Sequence, residues 1–317
     1  MGVSDSKIWI EKYRPKEFND LKGQSKIVKR IEAFIKQQNI PHLLFAGPSG
    51  VGKTTMALLI ANKLFKDNWK SNFLELNASD DRGIDVIRNQ VKDFARTKAI
   101  GNVPFKIIYL DESDSLTKEA QQALRRTMEN FSNSCRFILS CNYSSKIIDP
   151  LQSRCSVFRF KPLEKEDIKS IIEIVCKEEG LKISKDAIDS LYDISEGDCR
   201  KLENILQSCA VISKNIDNKT IYDIVSQARP NEIKEVLIIA LNKDFVKARN
   251  KLLDTMLRYG LSGLDIVKQI QKEIWNLDIS QTQKVELVDK CGEIEFRMVE
   301  GSDEFIQLEA LLANFSK

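Results

Sequence analysis

From residue 34 to residue 160, short apolar runs alternate with stretches whose apolar residues recur every three or four positions. The runs predict strands at 42–46, 72–76, 105–110, 136–140 and 157–160. The central ones are almost continuously apolar (Ile107-Ile108-Tyr109-Leu110, Phe137-Ile138-Leu139), the pattern of strands buried on both faces. Strands that alternate with helices imply right-handed crossovers and a parallel α/β sheet. After Pro162 the strand pattern stops. Only helices are predicted from there to residue 226, at 164–179, 184–194, 198–213 and 218–226, with Gly180 and Gly197 at boundaries. Ala228-Arg229-Pro230 reads as a linker, and the remainder is again helical. Three domains are expected: an α/β unit over 1–162, a small helical unit over 163–228 and a larger helical unit over 229–317.

The segment between the first strand and the first helix carries the strongest chemical signal. Gly47-Pro48-Ser49-Gly50-Val51-Gly52-Lys53-Thr54 fits a phosphate-binding loop, with a buried strand before it and a helix from Thr54 to Phe65 after it. Such a loop turns successive backbone N–H groups inward to cradle phosphate oxygens. Lys53 is placed to reach the terminal phosphates, and the Thr54 hydroxyl to ligate magnesium; Thr55 follows in the nucleotide-binding set. Ligands of open parallel sheets bind beyond the carboxyl ends of the strands, where this loop lies.

Asp111-Glu112 ends the third apolar strand, so Asp111 reads as the magnesium partner and Glu112 as the base that orients and deprotonates a water. Asn142 ends the fourth strand, where its amide could hydrogen-bond a phosphate or that water, or simply close a turn. Arg154 opens the fifth strand. On the rim it reads either as a surface salt-bridge partner or as an arginine finger for a neighbouring site.

Composition changes this picture little. The 317 residues are 42% hydrophobic and 30% charged, with a formal net charge of +3, which neither demands nor excludes a nucleic-acid partner. One histidine, His42, argues against a histidine-based metal site or triad. Seven cysteines without zinc-like spacing read as reduced packing residues and point to a cytosolic compartment. No apolar run approaches the ~20 residues of a membrane-spanning helix, and the first residues lack a signal core.

Residues 83–96 read as a helix with an apolar stripe of Ile84, Ile87, Val91 and Phe94. Arg88, Lys92 and Arg96 recur at i, i+4 and i+8 on another face. That row is either a solvated face, partly neutralised by Asp85 and Asp93, or a track for backbone phosphates.

The motifs also occur in a familiar combination. It comprises Trp9-Ile10-Glu11-Lys12-Tyr13-Arg14-Pro15, the phosphate loop, residues 76–83, Asp111-Glu112, the run 122–129, Ser140-Cys141-Asn142, Ser153-Arg154-Cys155 and Gly197-Asp198-Cys199-Arg200-Lys201. Together these closely resemble the small-subunit family of replication factor C, in its archaeal form, from about Trp9 to the C-terminus. The resemblance implies an AAA+ ATPase with a Rossmann-like domain, a helical lid and a C-terminal collar, using ATP and Mg²⁺. It implies partners: a large subunit and further small subunits in a ring, the sliding clamp PCNA, and primer–template DNA, with no membrane. By the same resemblance Asn142 becomes the first sensor, Arg154 the finger acting in trans, and Arg200 the second sensor. Tyr13 and Arg14 would lie near adenine, and Arg82, Arg88, Lys92 and Arg96 would face DNA. Leu308, Leu311, Leu312, Phe305 and Phe315, otherwise a core by default, would form a collar contact. One departure is Ser113, where the family often has alanine. The competing classes are a different AAA+ DNA machine, of branch-migration or initiator type, and a nucleotide-holding scaffold that does not hydrolyse.

Overall fold

The computed structural model describes residues 8–80, 85, 87–101, 103–225 and 230–316. The chain divides into two compact units, Met1–Ala210 and Val211–Lys317.

The first unit is built on a five-stranded parallel sheet in the order β2-β3-β4-β1-β5. The strands are β1 (His42–Ala46), β2 (Phe73–Asn77), β3 (Lys106–Asp111), β4 (Cys135–Cys141) and β5 (Cys155–Arg159). All five expected strands are present, displaced by no more than two residues at either end. Both faces are covered. Leu44, Ile108, Leu110, Phe137 and Leu139 pack with Ala120, Leu124 and Met128 of the helix Lys118–Asn130 in one cluster. The alternate residues Leu43, Phe45, Ile107, Tyr109 and Ile138 are fully buried on the other side, where the helix Lys53–Phe65 lies over β3 and β4. Thr117 caps the helix Lys118–Asn130, its Oγ1 accepting from the Ala120 N–H at 3.2 Å.

The principal helices of this part of the chain are α1 (Trp9–Lys12), α2 (Ser25–Lys36), α3 (Lys53–Phe65), α4 (Lys118–Asn130), α5 (Lys165–Glu179), α6 (Lys185–Ser195) and α7 (Cys199–Ile212). The expectation of helices alone after Pro162 needs correction. Two-residue strand segments occur at Lys182–Ile183 and Asn215–Ile216, too short to leave a period-2 signal.

The expected helix over 83–96 also differs. Among the described residues Asp85 is α-helical, Ile87–Val91 is π-helical and Lys92–Arg96 is α-helical again. A π turn takes more than four residues, so i, i+4 spacing across it no longer marks a straight stripe. Val91 and Ala95 are buried, with Phe94 packed beside them.

The second unit packs the helices Pro230–Leu241, Phe245–Tyr259, Gly263–Ile274, Gln281–Val299 and Glu304–Phe315 around one apolar cluster. Asp244, Ser262, Ser280 and Asp303 cap four of them through side-chain oxygens. Leu308, Leu311, Leu312 and Phe315 lie inside this core, whereas Phe305 is exposed and does not belong to it. No helix among the described residues is long and apolar enough to cross a membrane. All seven cysteines are free, five of them buried.

His42, at the start of β1, accepts the Phe137 N–H at its Nδ1 (3.1 Å). Burial, with the Arg136 cation adding to it, pushes its pKa from the ordinary 6.5 down to about 4. The unfolded chain therefore takes up a proton that the folded chain refuses. Stability is full above about pH 6.5 and falls by on the order of 3 kcal/mol as pH drops towards 4. Urea titrations across that range check this: His42→Asn, which keeps an acceptor, loses that part of the acid sensitivity.

Candidate nucleotide and catalytic site

Register aligns the site. Ala46 pairs with Cys141 and Asn77 with Asp111, so the carboxyl ends of β1, β4 and β3 stand side by side. The phosphate loop leaves β1, Asn142 leaves β4, and Asp111-Glu112 leaves β3. Gly47 N–H donates to the Cys141 carbonyl at 3.1 Å, tying the loop's first residue to the neighbouring strand.

Glycine is required at Gly50 and Gly52. Both have positive φ, +65° and +96°. A Cβ on Gly50 would fall 1.7 Å from Asp198 Oδ1, and one on Gly52 would fall 2.8 Å from Leu21 Cδ1. Lys53, the first residue of α3, is buried and folds back over the loop. Its Nζ donates to the carbonyls of Gly47 (2.6 Å) and Pro48 (2.7 Å) and to Asn142 Oδ1 (3.0 Å). Burial lowers its pKa, and Asp111 opposes that. Thr54 Oγ1 donates to Asp111 Oδ2 at 2.9 Å and accepts from the Tyr109 hydroxyl at 3.0 Å. A hydroxyl and a carboxylate side by side are the hard-oxygen donors that Mg²⁺ takes, alongside water and substrate phosphates.

Glu112 is exposed and has a left-handed backbone, φ +50°, which costs a non-glycine residue about 1–2 kcal/mol. Its N–H donates to Asp111 Oδ1 at 2.9 Å. Backbone strain of this kind at a strand end is the sort that active sites retain.

A cavity of about 400 Å³ joins these groups. Ser49 to Thr55, Asp111, Glu112, Asn142 and Arg200 line it, as do Tyr13 and Arg14. Gly47 and Pro48 do not line it; they act through the carbonyls that hold Lys53. An apolar wall of Ile171, Ile174 and Val175 comes from α5. The α1 segment is fastened beside it: Trp9 N–H donates to Gln207 Oε1 (3.1 Å), and the Tyr13 hydroxyl donates to Glu179 (2.7 Å). Burial and Glu179 raise the Tyr13 pKa.

Arg154 does not line this cavity. It pairs with Glu129 of α4, which also takes Arg125 at 3.5 Å, and donates to the Pro150 carbonyl at 2.8 Å. Arg82 lies outside the described residues, and Arg88 is described only as a backbone position. Lys92 is half-buried, and Arg96 is exposed, 3.8 Å from Asp93. Of the expected basic row, the side chains of Lys92 and Arg96 alone fall within the described residues.

Three residues with no role assigned from sequence help build the site. Asp114 Oδ2 accepts from the Tyr143 N–H (3.1 Å) and the Asn142 N–H (3.3 Å), fixing the turn that presents Asn142. Asp198 accepts from Ser49 Oγ (3.0 Å) and from the N–H groups of Arg200 (2.8 Å) and Lys201 (3.1 Å), so it caps α7 and fastens the loop together. The Gly-Asp before an apolar helix was the available signal for that cap. Ser113, the departure from the family pattern, is buried and donates to the Leu110 carbonyl at 2.8 Å, so its extra hydroxyl is satisfied. Glu203, like Asp114 and Asp198 without a role assigned from sequence, lines the cavity.

A phosphate loop, a strand-end Asp-Glu pair and a strand-end Asn over a parallel sheet define a nucleotide-binding AAA ATPase. Residues 43–163 match the family described as "ATPase family associated with various cellular activities", and residues 228–314 match "Replication factor C C-terminal domain". The chain is 54% identical over 307 residues to the replication factor C small subunit of Methanococcus vannielii, covering 97% of this chain and 98% of the relative. It is 52% identical to that of Archaeoglobus fulgidus (99% and 98%) and 50% identical to that of Sulfurisphaera tokodaii (100% and 97%). The chain belongs to the replication factor C small-subunit family. Among solved structures, the RuvB Holliday junction branch migration motor of Thermotoga maritima is similar in fold, with a TM-score of 0.56 at 19% identity over 72% of this chain and 78% of that one.

Asp114→Ala removes the oxygen that accepts both N–H bonds behind the Asn142 turn while leaving the loop and Asp111 untouched. Hydrolysis is expected to slow about tenfold, with nucleotide affinity changed less than about twofold, because only the groups around the water are displaced. Single-turnover hydrolysis alongside equilibrium binding separates the two effects.

Proposed function

We propose that this chain is an ATP-hydrolysing small subunit of the replication factor C clamp loader. In a ring with a large subunit and further small subunits, it opens the sliding clamp PCNA and loads it onto primer–template DNA. We further propose a cytoplasmic location, with the chromosome. The observation that carries the reading is 54% identity over nearly the whole of both chains to a replication factor C small subunit. The fold-level likeness to a branch migration motor does not compete with it, since at 19% identity it speaks for the fold alone. A domain arrangement of 1–162, 163–228 and 229–317 is part of the proposal, supported by a C-terminal family match that starts at residue 228.

The residues fit ATP and magnesium. The loop amides and the Lys53 ammonium meet the phosphate charge. Thr54 and Asp111 would hold Mg²⁺, which when bound neutralises charge on the phosphates. Glu112 orients the attacking water and accepts its proton, while Asn142 and Arg200 steady the terminal phosphate from β4 and the lid. Arg154 serves a neighbouring subunit's site. Its pair with Glu129 is solvent-exposed and worth only about 0–1 kcal/mol, so the guanidinium is released to a neighbour at little cost. Lys92 and Arg96, together with Arg82 and Arg88, are proposed to meet DNA phosphates without sequence preference.

Combining the protein with a large subunit, clamp and primed DNA tests the reading: ATPase stimulated by clamp and DNA is the expected result. Lys53→Ala should weaken nucleotide binding at least tenfold, because the loop loses its phosphate-directed charge. Arg154→Ala should bind nucleotide normally yet lower turnover in the assembly by about 10³-fold or more. Equal turnover by the isolated wild-type chain and the assembly would rule the finger out.

A further inference from the structure

Glu203 is only 7% exposed, yet it lines the cavity. Among the described residues nothing donates a hydrogen bond to its carboxylate. Its place along α7 is set by two anchors. At the start of the helix, Cys199 N–H donates to the Gly50 carbonyl of the phosphate loop (3.1 Å). Two turns on, Gln207 accepts from Trp9 of α1. Glu203 stands between them, roughly 4.5 Å along the axis beyond Arg200. It lines the cavity one turn further along α7 than Arg200, in company with Tyr13, Arg14 and the wall of Ile171, Ile174 and Val175.

We propose that Glu203 reads the base of the bound nucleotide and selects adenine over guanine. The inference rests on the assignment of this cavity to ATP. A neutral carboxylic acid offers one donor and one acceptor. That pair matches an adenine edge, where the 6-amino group donates and a ring nitrogen accepts. An ionised carboxylate offers two acceptors, which match the N1–H and 2-amino group of guanine instead. The surroundings favour the neutral form. Arg14 is the nearby cation, and Glu11 already pairs with it. Glu11 and Asp198 oppose ionisation of Glu203, and Glu178 lines the same cavity. Lys12 is occupied by Glu179, and Arg200 lies one turn back towards the loop. Burial is the largest influence, and with these acids it brings the Glu203 pKa up to about 7. A triphosphate adds more negative charge to the same space.

Calorimetric binding of ATP and of GTP to the full chain, at about pH 6 and about pH 8.5, tests this. The wild-type ATP-over-GTP affinity ratio should fall about tenfold between the two pH values. Glu203→Gln keeps one donor and one acceptor, so it should retain the preference with no pH dependence. Glu203→Leu should lose it about tenfold at the lower pH, with a thermal melt showing that the protein is folded. A Leu variant with the wild-type ratio, or a Gln variant with the wild-type pH slope, would overturn the inference. A wild-type chain that binds neither nucleotide would overturn the ATP assignment, and this inference with it.

Discussion

The site depends on one geometric constraint, the adjacency of β3, β4 and β1 in a parallel sheet. Because the strands run the same way, their carboxyl ends share an edge. Residues far apart in sequence, such as Lys53, Asp111 and Asn142, come within hydrogen-bonding range there without any long loop. Lys53 records this most directly: its ammonium binds the loop that follows β1 and the side chain that follows β4. Thr54 and Asp111 do the same between α3 and β3. A slip of one residue in β3 would turn Asp111 to the other face and separate it from Thr54.

What could be read from the sequence follows the same logic. The strands were legible because burial on both faces leaves unbroken apolar runs, and Gly47 to Thr54 because a phosphate cradle tolerates few residue types. Asp111, Glu112 and Asn142 were legible because each ends such a run. Asp114, Asp198 and Glu203 were not. Their roles come from contacts with Tyr143, Ser49 and the lining of a cavity, at sequence separations that periodicity does not encode. The π-helical turn at Ile87–Val91 was hidden for a different reason: its residues carry a good α-helical pattern, and the local hydrogen-bond register departs from it. Phe305 was grouped with Leu308, Leu311, Leu312 and Phe315 by its apolar character, and it alone of the set is exposed.

The lid's contribution is fixed at two places. Asp198 holds Ser49, and the Cys199 N–H holds the Gly50 carbonyl, so the start of α7 is built onto the tip of the phosphate loop. Gly50 must lack a side chain for this as much as for phosphate: its missing Cβ is the space that Asp198 fills. The loop glycine therefore satisfies two demands at once, a left-handed backbone and a close neighbour. Arg200 follows Asp198 by two residues on the same capped turn, so its position relative to the loop is inherited from the cap.

Two acidic residues at the site show opposite solutions to the same problem. Asp111 stays among donors, accepting from Thr54 Oγ1 and from the Glu112 N–H. Glu203 is buried and, among the described residues, accepts no hydrogen bond, which suits a group that need not be charged at all. The first arrangement works on phosphate charge, where a fixed anion and its cation are useful. On the proposed reading the second meets the uncharged base, where recognition turns on which atoms donate and which accept. The availability of donors within one chamber would then sort one carboxyl to the phosphate chemistry and the other to the base.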